Sequence, residues 1–287
     1  MLSGDEMLEI LSLGAGVQSS TILLMSCIGE LPKLDAAIFA DTQWEPPAVY
    51  RHLLFLEAQA KVAGIPVYRV TFGNIKEHAI NLQVAQKHRT GDSEWQGQSY
   101  GAMPFHTRKA DGTTGIIRGQ CTHRYKVRPI EAKIRELAGV PSRARLKEVL
   151  VRQWYGISMD EIGRMRTADK TWIDNYYPLV EMRMDRDDCL QWFNDRGFPE
   201  APKSACVACP FRSKEQWRTI KADPELWAEA VAFDEAIRHP KGLRAEAFVF
   251  SGAIPLKDAD LRSVSQKEQE GGQMNLFDND CSGHCGV

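Results

Sequence analysis

The chain has 287 residues, 43% of them hydrophobic and 26% charged, close to the averages of soluble globular proteins. Its 36 Lys and Arg nearly balance 38 Asp and Glu, and the formal net charge of -2 gives no global basic excess, although a local basic face fits within it. Wholesale disorder, a collagen-like chain and a coiled-coil rod are excluded, and the length buries a substantial core without disulfide or metal staples. Seven cysteines stand out, since an odd count in a long chain is a poor match to a secreted disulfide framework. The opening MLSGDEMLEILSLG is acidic and passes straight into a strand-like run, unlike a secretory leader. No apolar run approaches the roughly 20 residues needed to span a bilayer. The expectation is a cytoplasmic protein with no membrane partner, where cysteine clusters serve metal or redox chemistry more often than disulfides.

In chain order, Leu8 to Leu13 is a short apolar run, followed by a glycine turn and a helical pattern over Ser20 to Ile28. Ala36 to Ala40 is a second run ending at Asp41, and Pro46 and Pro47 open a helix through Leu53 and Leu56 to Val62. Pro66 to Phe72, β-branched and aromatic, reads as a third strand. This alternation predicts an α/β fold, a parallel sheet with helices on its faces. Between 81 and 119 the pattern breaks into a long polar loop, of the kind that is usually functional. A helix over Val127 to Leu137, a strand over Glu148 to Tyr155 and a helix from Met159 follow. A strand near Tyr176 to Val180 and a helix over Asp185 to Asn194 complete the pattern. After Gly197 the chain is punctuated by Pro and Cys, then helical through Trp217 to Ile237, with a polar tail beyond Arg262. The expected division is a nucleotide-binding α/β domain at 1–198 and a Cys-containing, mostly helical region with a tail at 199–287.

Three constellations carry chemistry. The turn Gly14-Ala15-Gly16, followed by Ser19, Ser20 and Thr21, lets backbone N–H groups approach an anion at a helix N-terminus and adds hydroxyl donors. Asp41 and Thr42 end the second strand, where α/β sheets bind ligands. Arg118, His123, Arg124, Lys126 and Arg128 cluster beside Gly119 and Cys121, a grouping suited to phosphates or a sulfonate. Glu161, Arg164 and Arg166 form a smaller polar group. Cys206-x-x-Cys209-Pro210 places two thiols in one turn, as an iron–sulfur loop, half a zinc site or a redox pair requires. Zinc would find further ligands in Cys281, His284 and Cys285, whereas a cluster would draw on Cys121, Cys206, Cys209 and a tail cysteine. Cys27 and Cys189 lie in amphipathic patterns and read as packing. His52, His78, His88 and His239 have no partners in sequence and read as structural or surface residues.

These motifs resemble the phosphoadenosine-phosphosulfate-reductase-like branch of the adenine-nucleotide α-hydrolase (PP-loop) superfamily. The resemblance rests on the turn through Ser20, on Asp41-Thr42-Gln43-Trp44-Glu45-Pro46-Pro47 with Tyr50, and on Gln120 to Ile130. It continues through Gly156-Ile157-Ser158-x-Asp160-Glu161, Lys203 to Phe211 and the ending Cys281 to Val287. It implies a Rossmann-like, HUP-type sheet and a nucleotide held by Gly14, Ala15, Gly16, Gln18, Ser19, Ser20, Asp41, Thr42, Arg124 and Lys126. Asp41, Cys121 and Cys285 would be catalytic, and Cys121, Cys206, Cys209 and Cys281 would bind metal. The implied cofactors are ATP or a related adenine nucleotide, Mg2+ and a [4Fe–4S] cluster, with zinc as the alternative.

The implied activity cleaves the α-phosphate, releases pyrophosphate and transfers sulfur to an acceptor, nucleic acid among the candidates. The sulfur donor would be a cysteine desulfurase or a thioredoxin-like protein. Reduction of phosphoadenosine or adenosine phosphosulfate by a Cys thiolate is the alternative. Val17 and Ser19 replace the branch's second Gly and its Asp, which leaves a third reading as a nucleotide-binding module with reduced turnover. The Glu-Cys-Gly-x-His ending of the assimilatory reductases is absent.

Overall fold

The computed structural model describes residues 7–81, 103–141, 146, 148–240 and 243–263. They divide into two compact units. One holds the chain up to Phe72 and His123–Ser204; the other holds Gly73–Thr122 and the described chain from Ala205 onward.

The first unit is built on a parallel sheet. Strand β1 (Leu8–Leu13) leads into helix α1 (Val17–Cys27), β2 (Ala36–Asp41) into α2 (Pro47–Val62), and β3 (Val67–Thr71) closes that side. Pro47 sits in the first turn of α2, where its missing N–H has no intrahelical partner to lose. The second unit contributes α3 (Ile75–Asn81) and a hairpin of β4 (Phe105–Arg108) and β5 (Thr114–Ile117). A π-helix (Thr122–Val127) then runs into α4 (Arg128–Leu137), and β6 (Val151–Tyr155) and β7 (Ile173–Tyr176) complete the sheet in the order β3-β2-β1-β6-β7. This is the parallel sheet with helices on its faces that the alternating pattern predicts, and its architecture is Rossmann-like. A short 3-10 helix (Met159–Arg164) links β6 to β7, with α5 (Pro178–Glu181) and α6 (Arg186–Asp195) beyond.

The sheet is sandwiched between two apolar layers. Leu11, Leu13 and Phe39 face α1, α2 and α6, packing with Leu23, Leu53, Leu56 and Phe193. Ile10, Ile38, Val151 and Ile173 face Ile130 and Ile134 of α4. Each such fully buried side chain contributes about 1.5–3 kcal/mol of transfer free energy.

Several boundaries differ from the sequence pattern for local reasons. The strand expected near Tyr176 to Val180 instead ends at Tyr176, because Pro178 fixes φ, lacks an N–H and opens α5. The segment from Met159 is a single 3-10 stretch rather than an α-helix. The break expected over 81 to 119 contains the β4–β5 hairpin; its residues 82–102 lie outside the described ones. The helical stretch of the second unit is two helices, α7 (Lys214–Lys221) and α8 (Pro224–Ala236). Asp223 caps α8 with hydrogen bonds from Glu225 N and Leu226 N, and Pro224 cannot continue α7. That unit also holds β8 (Glu246–Phe248), which pairs antiparallel with β4 to give a three-stranded sheet, so the region after Gly197 is not wholly helical. Among the described residues no helix is long and apolar enough to cross a membrane.

Candidate nucleotide-binding site

The order of the parallel sheet creates a crevice outside the carboxyl end of β1, because the chain leaves β1 toward β2 and later returns to its other side as β6. Ligands of open α/β sheets bind at such a switch point. Here the loop after β1 is Gly14-Ala15-Gly16, with Ala15 buried and in the left-handed region at φ 54. Gly16 is the N-cap of α1; the helix has no side-chain cap and no acidic residue in its first turn. Among the described residues no side chain caps this positive end of the helix.

The hydroxyls of this segment are committed. Ser19 Oγ accepts from Gly14 N at 3.1 Å and lies 3.4 Å from Gly16 O, so it braces the turn itself. Ser20 Oγ meets His52 Nε2 at 3.0 Å in the interior, and Thr21 Oγ1 donates to Val17 O at 2.9 Å. Ser20 and Thr21 are fully buried, their hydroxyls turned to His52 and to the helix backbone. Val17 is buried in the core. His52 is a structural partner of Ser20, and burial lowers its pKa to about 4, so it is neutral at pH 7.

Gly156, directly after β6, is required by packing: a Cβ there would stand 2.6 Å from Ser19 N and 2.8 Å from Ser19 Cα. Gln18 Nε2 reaches Ser158 Oγ and Glu161 Oε2, each at 3.4 Å, while Ser158 Oγ donates to Asp160 Oδ1 at 2.6 Å. Glu161 pairs with Arg164 at 2.5 Å. The loop after β6 is thereby tied to the start of α1. At the end of β2, Asp41 Oδ1 accepts from Tyr50 Oη at 2.8 Å and from Gln43 N at 2.7 Å, which orients the carboxylate. Burial and the Asp41 bond raise the Tyr50 pKa, so Tyr50 remains a donor. Thr42 Oγ1 donates to Glu45 Oε1 at 3.1 Å, both buried.

The basic cluster divides sharply. His123 and Arg128 are exposed, whereas Arg124 is 1% exposed and its Nη1 and Nη2 are buried with no hydrogen-bond partner among the described residues. Leaving a guanidinium buried without an anion costs several kcal/mol. It stands in the π-helix, a form frequent at functional sites. Lys126 of the same π-helix lines a narrow hollow with Ser12, Gly14, Phe39, Ala40 and Ser204.

The thiol turn belongs to the second unit. Cys209 N donates to Cys206 O at 3.1 Å. Arg212 fastens the turn, its Nη2 donating to Ala205 O and Cys206 O, both at 2.8 Å, and its Nε to Val207 O at 3.0 Å. His106 of β4 holds Pro210 O through Nε2 at 3.2 Å, so that nitrogen carries the proton. Arg212 and His106 escape sequence reasoning, because a residue three past a C-x-x-C and another a hundred residues upstream carry no local signature. Gly119 admits the backbone of Met103 and Pro104, as close as 2.2 Å to an added Cβ, so the approach it permits is internal packing. Cys121 is half-buried, and Arg118 is exposed. Burial pushes the Cys27 and Cys189 thiols up to about 11, consistent with packing roles. Cys281 and Cys285 lie outside the described residues, among which no three His, Cys, Asp or Glu side chains are grouped to hold a metal ion. The turn supplies two thiols, and a [4Fe–4S] cluster or structural zinc takes four ligands, so the remaining ligands would come from outside the turn.

The glycine turn at the switch point, the oriented carboxylate on the neighbouring strand and the buried guanidinium all belong to a Rossmann-like α/β unit. Among solved structures, the chain is similar to a phosphoadenylyl-sulfate (PAPS) reductase from Candida auris in its phosphate complex. The identity is 14%, the match covers 69% of this chain and 76% of that one, and the TM-score is 0.39. No family model matches the sequence, and no curated protein matches it.

Proposed function

We propose that the chain is an adenine-nucleotide-binding, sulfur-handling enzyme. The observation that carries this reading is Arg124, a buried guanidinium whose two terminal nitrogens have no hydrogen-bond partner among the described residues. Buried charges are paired, and an anionic ligand is the partner that resolves the orphan. With Lys126 at the hollow beside Gly14 and the uncapped α1 N-terminus, the favoured anion is a nucleotide's phosphate group. Mg2+ would enter with the phosphates, held by them and by Asp41, and would neutralise their charge; Mg2+ commonly takes only one or two carboxylates.

In this reaction an acceptor oxygen attacks the α-phosphorus, the bond to the bridging oxygen breaks, and pyrophosphate leaves with that electron pair. The terminal sulfur of a persulfide on a donor such as a cysteine desulfurase then displaces AMP, giving an acceptor–donor disulfide. A second thiolate, from a dithiol reductant of the thioredoxin-like kind, attacks the donor sulfur, so the S–S bond breaks, the thiolated acceptor leaves with the electron pair and a new disulfide forms on the donor side. Arg124, Lys126 and the Gly14–Gly16 N–H groups would stabilise the charge that develops on the phosphates.

The test is nucleotide titration and product analysis with wild type, Arg124→Lys and Arg124→Met. A charge-assisted bond to a buried guanidinium is worth about 1.5–3 kcal/mol, so Arg124→Met should weaken ATP binding roughly 10- to 150-fold, with Arg124→Lys between. Unchanged affinity in folded Arg124→Met overturns the reading. Pyrophosphate release from ATP supports the proposed reaction, whereas sulfite release from a sulfonucleotide with thioredoxin assigns a reductase. Iron, sulfide and zinc analysis after anaerobic purification tests the cluster separately.

A further inference from the structure

A cavity of about 370 Å3 opens on the α4 face of the first unit's sheet, sharing Ser12 and Ile130 with the hollow beside Gly14. Its floor interrupts an apolar surface. Along β1 and β6 the register pairs Ile10 with Gln153 and Ser12 with Tyr155, so polar groups occupy positions where the rest of the face is aliphatic. Gln153 is buried and donates from Nε2 to Ser12 Oγ at 2.7 Å, and its Oε1 has no donor among the described residues. Asn175 of β7 donates from Nδ2 to Arg166 O at 2.9 Å, which likewise leaves Oδ1 open. The Tyr155 hydroxyl makes no hydrogen bond among the described residues, and its ring stacks on Tyr177 at 5.7 Å and 24°. Burial raises the Tyr155 pKa, so it stays a neutral donor.

Such a wall combines aromatic faces, amide edges and a hydroxyl, the groups by which planar heterocycles are held in pockets of roughly 300–1,000 Å3. At the rim, Arg164, Arg166 and Lys170 are offset by Glu131 and Asp169, with Lys170 paired to Glu131 at 3.3 Å. That balance disfavours a multiply charged anion and suits one phosphate attached to a ring.

We infer that this cavity binds a nucleobase of the acceptor, with its phosphate beside the exposed Arg166 of the lining. The acceptor role rests on the nucleotide reading above; the binding itself does not. The test titrates AMP, GMP, CMP and UMP into the full chain by calorimetry, alone and with a saturating non-hydrolysable ATP analogue. It compares wild type with Gln153→Leu, Thr167→Trp and Arg124→Met. Thr167 is exposed at the cavity wall, so Thr167→Trp fills the mouth without burdening the core. At least one monophosphate should bind with the analogue present, and Thr167→Trp and Gln153→Leu should weaken it tenfold or more while leaving analogue affinity unchanged. Arg124→Met should do the reverse. Complete displacement of every monophosphate by the analogue, no monophosphate binding at all, or wild-type monophosphate affinity in Thr167→Trp overturns the inference. Analogue affinity indifferent to Arg124 refutes the earlier reading alone.

Discussion

The contact between Gly156 and Ser19 joins the end of β6 to the start of α1, and replacing Gly156 by alanine tests whether it positions the crevice. An added Cβ would lie 2.6 Å from Ser19 N and 2.8 Å from Ser19 Cα, where 3.4 Å is the onset of ordinary contact. The obstructing atoms are backbone, so rotamer change cannot relieve the clash; β6 and α1 must separate by about 0.8 Å. Overpacking of this kind costs about 1–3 kcal/mol. Because Ser19 Oγ also holds Gly14 N at 3.1 Å, the displacement reaches the phosphate turn, and misplacements near 1 Å cost up to about 100-fold in function. Gly163→Ala is the control, since nothing lies within 4 Å of its added Cβ. Urea unfolding and ATP-analogue titration of both variants provide the assay. Wild-type stability together with wild-type affinity in Gly156→Ala would refute the argument.

Two further outcomes follow from the buried polar groups. His52 has a folded pKa of about 4 against an ordinary 6.5, so the unfolded chain takes up the proton first on acidification. Its contribution is complete above pH 6.5 and is lost as pH falls toward 4, about 3 kcal/mol in all; His52→Gln should flatten that part of the urea-midpoint profile between pH 7 and 4.5, and parallel profiles would contradict the assignment. Arg212→Met releases three carbonyls of the thiol turn at once and should destabilise the protein by about 3 kcal/mol or more while changing the rate at which Cys206 and Cys209 react with a thiol reagent. A stability change under about 0.5 kcal/mol, within the range of ordinary surface substitutions, would show that the fork is not a brace.

The parallel sheet was legible because its strands are apolar runs separated by amphipathic helices with proline or glycine at their ends, as at Pro47 and Gly14. The sequence-predicted strand β1 covers Leu8 to Leu13 in the structure, and α2 closes at Val62. The short pieces were not legible. β4, β5 and β8 are three or four residues each, and Glu246 to Phe248 becomes a strand by pairing with His106 to Arg108, a partner beyond any local window. At the site, glycines and charges marked the crevice, but sequence could not say which cations are buried. Arg124 and Arg128 look alike in a basic run, yet Arg124 is buried within the π-helix and Arg128 is exposed at the start of α4. Ser12 and Gln153 offered a signal that is visible afterwards: polar residues at inward positions of otherwise apolar strands.

The order in which the strands leave the ribosome differs from the order in which they pair. β1 lies between β2 and β6, yet β6 begins at Val151, eighty residues after β3 ends at Thr71. At synthesis rates of about 5–20 residues per second, one flank of β1 waits on the order of ten seconds for its partner. Until then Leu8–Leu13 offers a bare, apolar strand edge, the kind of surface that recruits another chain. Nascent protein halted between Thr71 and Val151 should therefore be the aggregation-prone species, and a chaperone that shields this edge would raise the yield of the finished fold.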